Sequence, residues 1–450
     1  MDSIFFWNRV TLQAVANDHS GSPPPGEQGG PTFTSRALAI VHAAMYDVSN
    51  SFFRTHTPYL TQEDPPKGGS VESAIAGAAV TTLKALYKQQ GQFIDDELAK
   101  FSSDVGGIDT PSFQLGERVG SATLQAREND GSDENRPPQR AGGRESAFVK
   151  TFDAPDPGPC PQTPGGHVPD PLNPDQGLHA PTWGDVKPFV IQDIKSLRPP
   201  APPALDSPEY RSALEEVKCK GAIQGTTRSR KETNIGLFWA YDGANLIGTP
   251  PRLYNQVARQ IAKKQDFSQE ENARYFALIN LAMADAGIQC WDAKYHYNLW
   301  RPIVGIRCDA DNQQRVPQWQ PLGSPRSNNP PGSPNRGLDF TPPFPAYTSG
   351  HATFGAASMA VMKRFLEEKG DDPNTQIENF ISDELDGVTT DTNGCPRPEA
   401  PMTFTLDQAI EENLASRVYL GVHWRFDGTV GADSGREIAD RVFHSVARPV

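Results

Sequence analysis

The longest interruption in this sequence constrains its fold most. Across residues 129–208 proline, glycine, aspartate and asparagine dominate, and apolar residues keep no period. On either side apolar residues recur every three or four positions, the pattern of helices with a buried face. Upstream, helices are expected at 35–48, with Leu38, Val41, Ala44 and Met45 as the stripe and Ser35 as the cap, and at 72–87, 93–101 and 113–127. Short connections between them point to an antiparallel bundle. Downstream the pattern predicts helices at 208–220, 231–244 and 250–263. A long one follows to about 289, opened by a Ser268–Glu271 capping box, and a helical segment covers 290–300. Further helices are expected at 352–368, from Thr405 with a second capping box to Gln408, and at 435–447. No alternating run reads as a strand, so the fold class is mainly α with long Pro/Gly-rich loops. The natural division is a helical part at 1–130, a loop at 131–207 packed on the bundle through Trp183 and the Pro188-Phe189-Val190-Ile191 run, and a second helical part at 208–450, together one integrated domain. That loop is placed to roof a site.

A chain of 450 residues buries roughly three quarters of its unfolded surface, enough for a large core. Its net charge of −13, with no basic run, argues against a nucleic-acid partner. No stretch of about 18 apolar residues is present, so no membrane span and a soluble protein are expected. The start, Met-Asp-Ser-Ile-Phe-Phe-Trp-Asn-Arg, lacks the features of a signal peptide, which leaves a cytoplasmic protein or a secreted or periplasmic one whose leader was removed. Five widely spaced cysteines without Cys-x-x-Cys argue against a zinc site or a disulfide framework and leave a single bridge open. His42, on the first expected helix, reads as a hydrogen-bonded core histidine.

Three segments carry charge that packing does not require. In Phe344-Pro-Ala-Tyr-Thr-Ser-Gly-His351, a polar turn runs into a helix, so Ser349, Gly350 and His351 sit at a helix N-terminus. Unpaired amides and the macrodipole favour an anion there. In Trp291-Asp-Ala-Lys294-Tyr-His-Tyr-Asn-Leu-Trp-Arg301-Pro302, Lys294 and Arg301 are seven apart. On one helix that places both cations on one face, with Pro302 limiting its run. In Ser416-Arg417-Val-Tyr-Leu-Gly-Val-His423-Trp-Arg-Phe-Asp427, Arg417 and His423 address one ligand only if the backbone bends, for which Gly421 is suited. Asp427, four beyond His423, either orients that ring or pairs with Arg425 or Arg436. Together these groups ask for an oxyanion with several negative oxygens.

These three segments resemble the signature of the vanadium-dependent haloperoxidases and the related acid phosphatases. His42-Ala-Ala-Met-Tyr-Asp47 and Trp183-Gly-x3-Pro-Phe189 are also similar to the bacterial haloperoxidase branch. The resemblance implies an all-α fold with two four-helix-bundle-like cores and one vanadate per chain. It implies His423 as the vanadium ligand, Lys294, Arg301 and Arg417 neutralising the oxygens, Ser349 and Gly350 hydrogen-bonding them, and His351 as the acid–base group. Thr348 stands where the family usually has proline. Trp291 and Phe344 resemble the halide-side residues of chloride-oxidising members. The implied reaction is oxidation of bromide or iodide, and of chloride in the extended case, by hydrogen peroxide to hypohalous acid, with a small organic acceptor as a further partner and a homo-oligomer, a dimer, as the assembly. The rival reading is a soluble acid phosphatase with His423 as nucleophile, forming a phosphohistidine, and His351 protonating the leaving group.

Overall fold

The computed structural model describes residues 1–20, 26–135, 160–161, 163–174, 176–308, 315–329 and 339–450. Thirteen α-helices are seen among them: α1 (Ser3–Asp18), α2 (Gly30–Phe53), α3 (Val71–Leu86), α4 (Gly91–Val105), α5 (Thr110–Ala126), α6 (Pro208–Lys220), α7 (Arg230–Phe238), α8 (Pro250–Lys264), α9 (Gln269–Tyr297), α10 (Pro302–Cys308), α11 (Gly350–Lys369), α12 (Leu406–Tyr419) and α13 (Arg425–Ser445). Two short strands, β1 (Gln376–Phe380) and β2 (Met402–Thr405), pair antiparallel at the edge. The fold is mainly helical, as the periodicity implies.

The central post is α9. Its residues from Asn272 to Lys294 are all buried, so it has no solvent face and is packed on several sides, by α2, α11 and α13 among others. Helix α2 is equally enclosed from Thr32 to Ser51. α11 and α13 approach backbone to backbone, since a Cβ on Gly435 would lie 2.4 Å from the Thr353 carbonyl oxygen. One large apolar core joins the N-terminal helices to α8, α9 and α11–α13. A second, around Tyr210, Trp300, Ile303, Tyr347 and Trp424, lies under α6 and α10. The capping boxes at Ser268–Glu271 and Thr405–Gln408 are both formed.

Several expected boundaries move. Helix α1 is not among the expected elements: Asn8 and Thr11 are as buried as Trp7 and Val15, so buried polar residues interrupt its apolar stripe, and only Arg9 and Gln13 are exposed along it. α2 begins five residues before Ser35, on Gly29 and Pro31, and the Ser35 hydroxyl donates to the Thr32 carbonyl inside the helix rather than capping it. α7 stops at Phe238, six residues short of 244. The helical segment expected at 290–300 continues the helix before it and ends at Tyr297, with Asn298 in the left-handed region at φ 51°. Pro302 opens α10 instead of closing α9, which suits a residue with no N–H to satisfy. α13 starts ten residues before Gly435.

Helix-borne carboxylates fix the loops. Asp285 of α9 accepts from the amides of Phe189, Val190 and Ile191 at 2.6, 2.9 and 2.8 Å, and Asp47 of α2 accepts from Tyr59, Leu60 and Thr61 in the same manner. Trp183 is buried. The part of the 129–208 loop at 136–159 lies outside the described residues. Cys160 and Cys308 form a disulfide across 148 residues, the bridge that the cysteine count left open. His42 is hydrogen-bonded to Asn8 and the Leu38 carbonyl, and burial lowers its pKa to about 4, as befits a core histidine. No helix among the described residues is long and apolar enough to cross a membrane.

Candidate active site

Lys294 leaves the last turns of α9, and Arg301 follows in the extended link to α10. The two cations are therefore not on one helical face as their spacing suggested. The left-handed turn at Asn298 and the link that follows it carry Arg301 back, so that its Nε donates to the Phe344 carbonyl at 2.8 Å. The Lys294 ammonium donates to the carbonyls of Pro345 and Ala346, both at 3.0 Å, and of Thr348. Both cations thus hold the turn that precedes α11. Ser349 caps α11, its hydroxyl accepting from the Ala352 amide, and its own amide donates to the Asp427 carbonyl at 2.9 Å. Gly350 lies against Trp291, where a Cβ would come to 3.2 Å from the indole.

The third segment bends where Gly421 permits. α12 ends at Tyr419, Gly421 takes φ 73°, and His423 sits in the turn before α13. An added Cβ at Gly421 would meet the Gly221 carbonyl oxygen at 2.7 Å, so the turn is tight as well as left-handed. His423 and Asp427 are thus not on one helical face. They meet because Asp427 is the third residue of α13 and reaches back, accepting from His423 Nδ1 at 2.9 Å and from the Trp424 amide at 3.1 Å. Arg425 and Arg436 pair elsewhere, with Glu216 and Asp433. His423 Nε2 accepts from Arg301 Nη1 at 2.9 Å, so the proton is on Nδ1 and Nε2 keeps its lone pair towards the cations.

Arg417 is held by a residue the sequence did not single out. Asp242 receives two parallel hydrogen bonds from its guanidinium, at 3.0 and 2.8 Å, and lies 3.8 Å from His351 Nε2. Expected inside a helix reaching 244, Asp242 instead occupies the turn after α7, and its partner is 175 positions away. His351 Nε2 donates to the Ala240 carbonyl, which leaves the lone pair on Nδ1. On the other side, Lys294 Nζ is 4.9 Å from the Phe344 ring centre and 5.5 Å from that of Trp291, and the two rings are 4.9 Å apart. His179, also not singled out, lies 6.0 Å from each ring, and its carbonyl accepts from Trp291 Nε1 and the Tyr295 hydroxyl.

The electrostatics ask for an anion. Lys294, Arg301 and Arg417 are each at most 1% exposed. Burial above all, with the neighbouring arginines adding, pulls the lysine down to about 7, and burial pulls Arg301 down to about 9. Asp427 is pushed up to about 7 by burial, and His351 is held down to about 3 by burial and Arg417. Burial drives His423 well below its usual value. Arg301 Nη2 and Arg417 Nε are buried with no hydrogen-bond partner among the described residues. Three enclosed cations with two orphaned donors, a capped helix N-terminus and an imidazole lone pair fit an oxyanion bonded to His423.

Residues 1–140 match the model of the vanadium chloroperoxidase N-terminal domain, and 274–450 match that of the VCPO second helical-bundle domain. The chain is 33% identical to the vanadium chloroperoxidase of Curvularia inaequalis, over 96% of this chain and 80% of that protein. Among solved structures, a bacterial vanadium-dependent iodoperoxidase superposes with a TM-score of 0.72 at 23% identity, covering 97% of this chain and 95% of the other. The apo form of a bacterial vanadium-dependent chloroperoxidase gives 0.68 at 16%, covering 95% and 96%. The C-terminal match spans Lys294, Arg301, Ser349, Gly350, His351, Arg417 and His423. Fold and sequence together place the chain in the vanadium chloroperoxidase family, among the vanadium-dependent haloperoxidases.

Proposed function

We infer that this chain oxidises halide with hydrogen peroxide, X⁻ + H₂O₂ + H⁺ giving HOX and H₂O, with vanadate held at His423. The observation that carries this reading is the nest of three buried cations around a histidine whose Nε2 lone pair faces them, held by Arg301 at 2.9 Å. Bound there, vanadate supplies a Lewis-acidic centre that activates peroxide towards halide without changing oxidation state.

The chain's own groups divide the remaining work. His423 ligates through Nε2 while Asp427 holds its Nδ1 proton and ring orientation. Lys294, Arg301 and Arg417 neutralise the oxyanion, and the Ser349 hydroxyl and Gly350 amide hydrogen-bond it. Asp242 aims the Arg417 guanidinium. His351, neutral and with its lone pair on Nδ1, would accept a proton from hydrogen peroxide at that atom and give it up to the oxygen that leaves as water. Trp291 and Phe344 form the apolar wall that a weakly hydrated halide meets, which favours bromide and iodide and extends to chloride. A small organic acceptor and a homodimer complete the proposal, the latter tested by sedimentation.

The deciding experiment compares halogenation of monochlorodimedone, with vanadate and each halide in turn, against hydrolysis of p-nitrophenyl phosphate by the same protein. Vanadate-dependent halogenation supports the reading. Phosphate-ester hydrolysis without halogenation would transfer His423 to the role of a phosphoryl acceptor.

A further inference from the structure

The wall formed by Trp291 and Phe344 is backed by a residue from outside the three charged segments. The two rings stand 4.9 Å apart between centres, and the imidazole of His179 lies 6.0 Å from each, at 83° to the indole and 51° to the phenyl ring. The main chain of His179 binds the same two neighbours. Its carbonyl accepts from Trp291 Nε1 at 3.3 Å, and its amide donates to the Pro343 carbonyl at 2.9 Å, one residue before Phe344. The Tyr295 hydroxyl donates to the His179 carbonyl as well, at 2.6 Å. One residue of the roofing loop is thus hydrogen-bonded to α9 and to the segment that leads into α11, and its ring packs on an aromatic side chain from each.

The imidazole is itself pinned by the start of α2. Its Nε2 shares a hydrogen bond with Thr32 Oγ1 at 3.0 Å, and a Cβ on Gly30 would come to 2.4 Å from its Cε1, so the α2 backbone is in direct contact with the ring. His179 is 1% exposed. A ring enclosed in this way has no room to retreat, and close-packed interiors pass displacement on to their neighbours. The spacing of Trp291 and Phe344 therefore depends on His179, and through it on α2. The same pair borders the cations, since Lys294 Nζ is 4.9 Å from the Phe344 ring centre and 5.5 Å from that of Trp291.

Halides carry one charge each and differ in radius, so ranking them falls to the apolar surface they meet and to how firmly that surface is held. We propose that His179 is a positioning residue for halide selectivity, acting through Trp291 and Phe344, whose spacing α2 fixes by way of Thr32 and Gly30. This rests on the haloperoxidase reading given above. Removal of the imidazole lets the two rings relax into the vacated space, which opens the wall to iodide at the expense of bromide.

The test uses the vanadate-loaded protein with His179→Ala, His179→Phe, which keeps a ring against both partners, and Thr32→Val, which keeps the imidazole but frees it from α2. For each, kcat and KM are measured for iodide, bromide and peroxide, and vanadate affinity by equilibrium dialysis. In His179→Ala the ratio of kcat/KM for iodide over bromide should rise about three- to tenfold, the range of one aromatic contact. The peroxide KM and the vanadate affinity should stay within about twofold, as should the halide ratio in His179→Phe. Thr32→Val should move the ratio the same way as His179→Ala, by less. An unchanged ratio in His179→Ala overturns the proposal, as does an equal loss for both halides together with vanadate, a Phe variant as altered as Ala, or a Thr32→Val ratio equal to that of the wild type. If His179→Ala does not fold, His179→Leu replaces it with the same expected and overturning results. A wild-type protein that binds vanadate yet oxidises no halide sinks the functional reading itself, and is seen before any variant is made.

Discussion

Asp427 Oδ2 accepts from His423 Nδ1 at 2.9 Å while also capping the Trp424 amide, so one carboxylate fixes both the start of α13 and the tautomer of the imidazole before it. Replacing Asp427 with Asn keeps the size but weakens the hold on Nδ1. Vanadate affinity should fall about 10- to 100-fold, the usual cost of removing such a partner. Equilibrium dialysis checks this, and an unchanged affinity would reduce Asp427 to a helix cap.

His351→Ala should retain vanadate and lose about 10²- to 10⁴-fold in halogenation rate, the range of a general acid–base group. The two measurements are separate, and full turnover in this variant would remove His351 from the chemistry.

Asp242→Asn leaves the Arg417 guanidinium buried without its carboxylate partner. Breaking such a pair costs about 3–5 kcal/mol, so the vanadate-free protein should melt several degrees lower. Vanadate restores a counter-charge and should raise the melting temperature of the variant more than that of the wild type. An equal rise in both would show that Asp242 and the oxyanion do not share Arg417.

Lys294 supplies a pH signature. In the vanadate-free protein its pKa lies at about 7, below the ordinary lysine value, so between the two the unfolded chain binds more protons than the folded one. The lysine's contribution to stability is therefore most adverse below pH 7 and improves as pH rises through the folded pKa towards 10. A bound oxyanion draws that pKa back up. At pH 8 vanadate binding should take up close to one proton through this group, and at pH 6 almost none. Calorimetry in two buffers of different ionisation enthalpy, with Lys294→Met as the subtraction, measures it; an identical uptake in the variant would refute the assignment.

The sequence shows most plainly what is local. Helices α4 and α5 each bury one face, and their stripes give their positions within a few residues. α1 and α2 are buried on nearly every side, which erases the contrast that periodicity measures. The charged residues of the three segments were visible as types and spacings, but the geometry joining Lys294 to Arg301 was not, because Asn298 leaves the helix in a left-handed turn and Pro302 starts another. Asp242 and His179 carried no local signal. Each gains its place from segments more than a hundred positions away, through a bidentate ion pair and an aromatic cluster respectively.

The disulfide at Cys160 and the three amides that Asp285 receives at 189–191 moor the loop between them at both ends. Lifting it away would mean breaking a covalent bond at one end or three charge-assisted hydrogen bonds at the other.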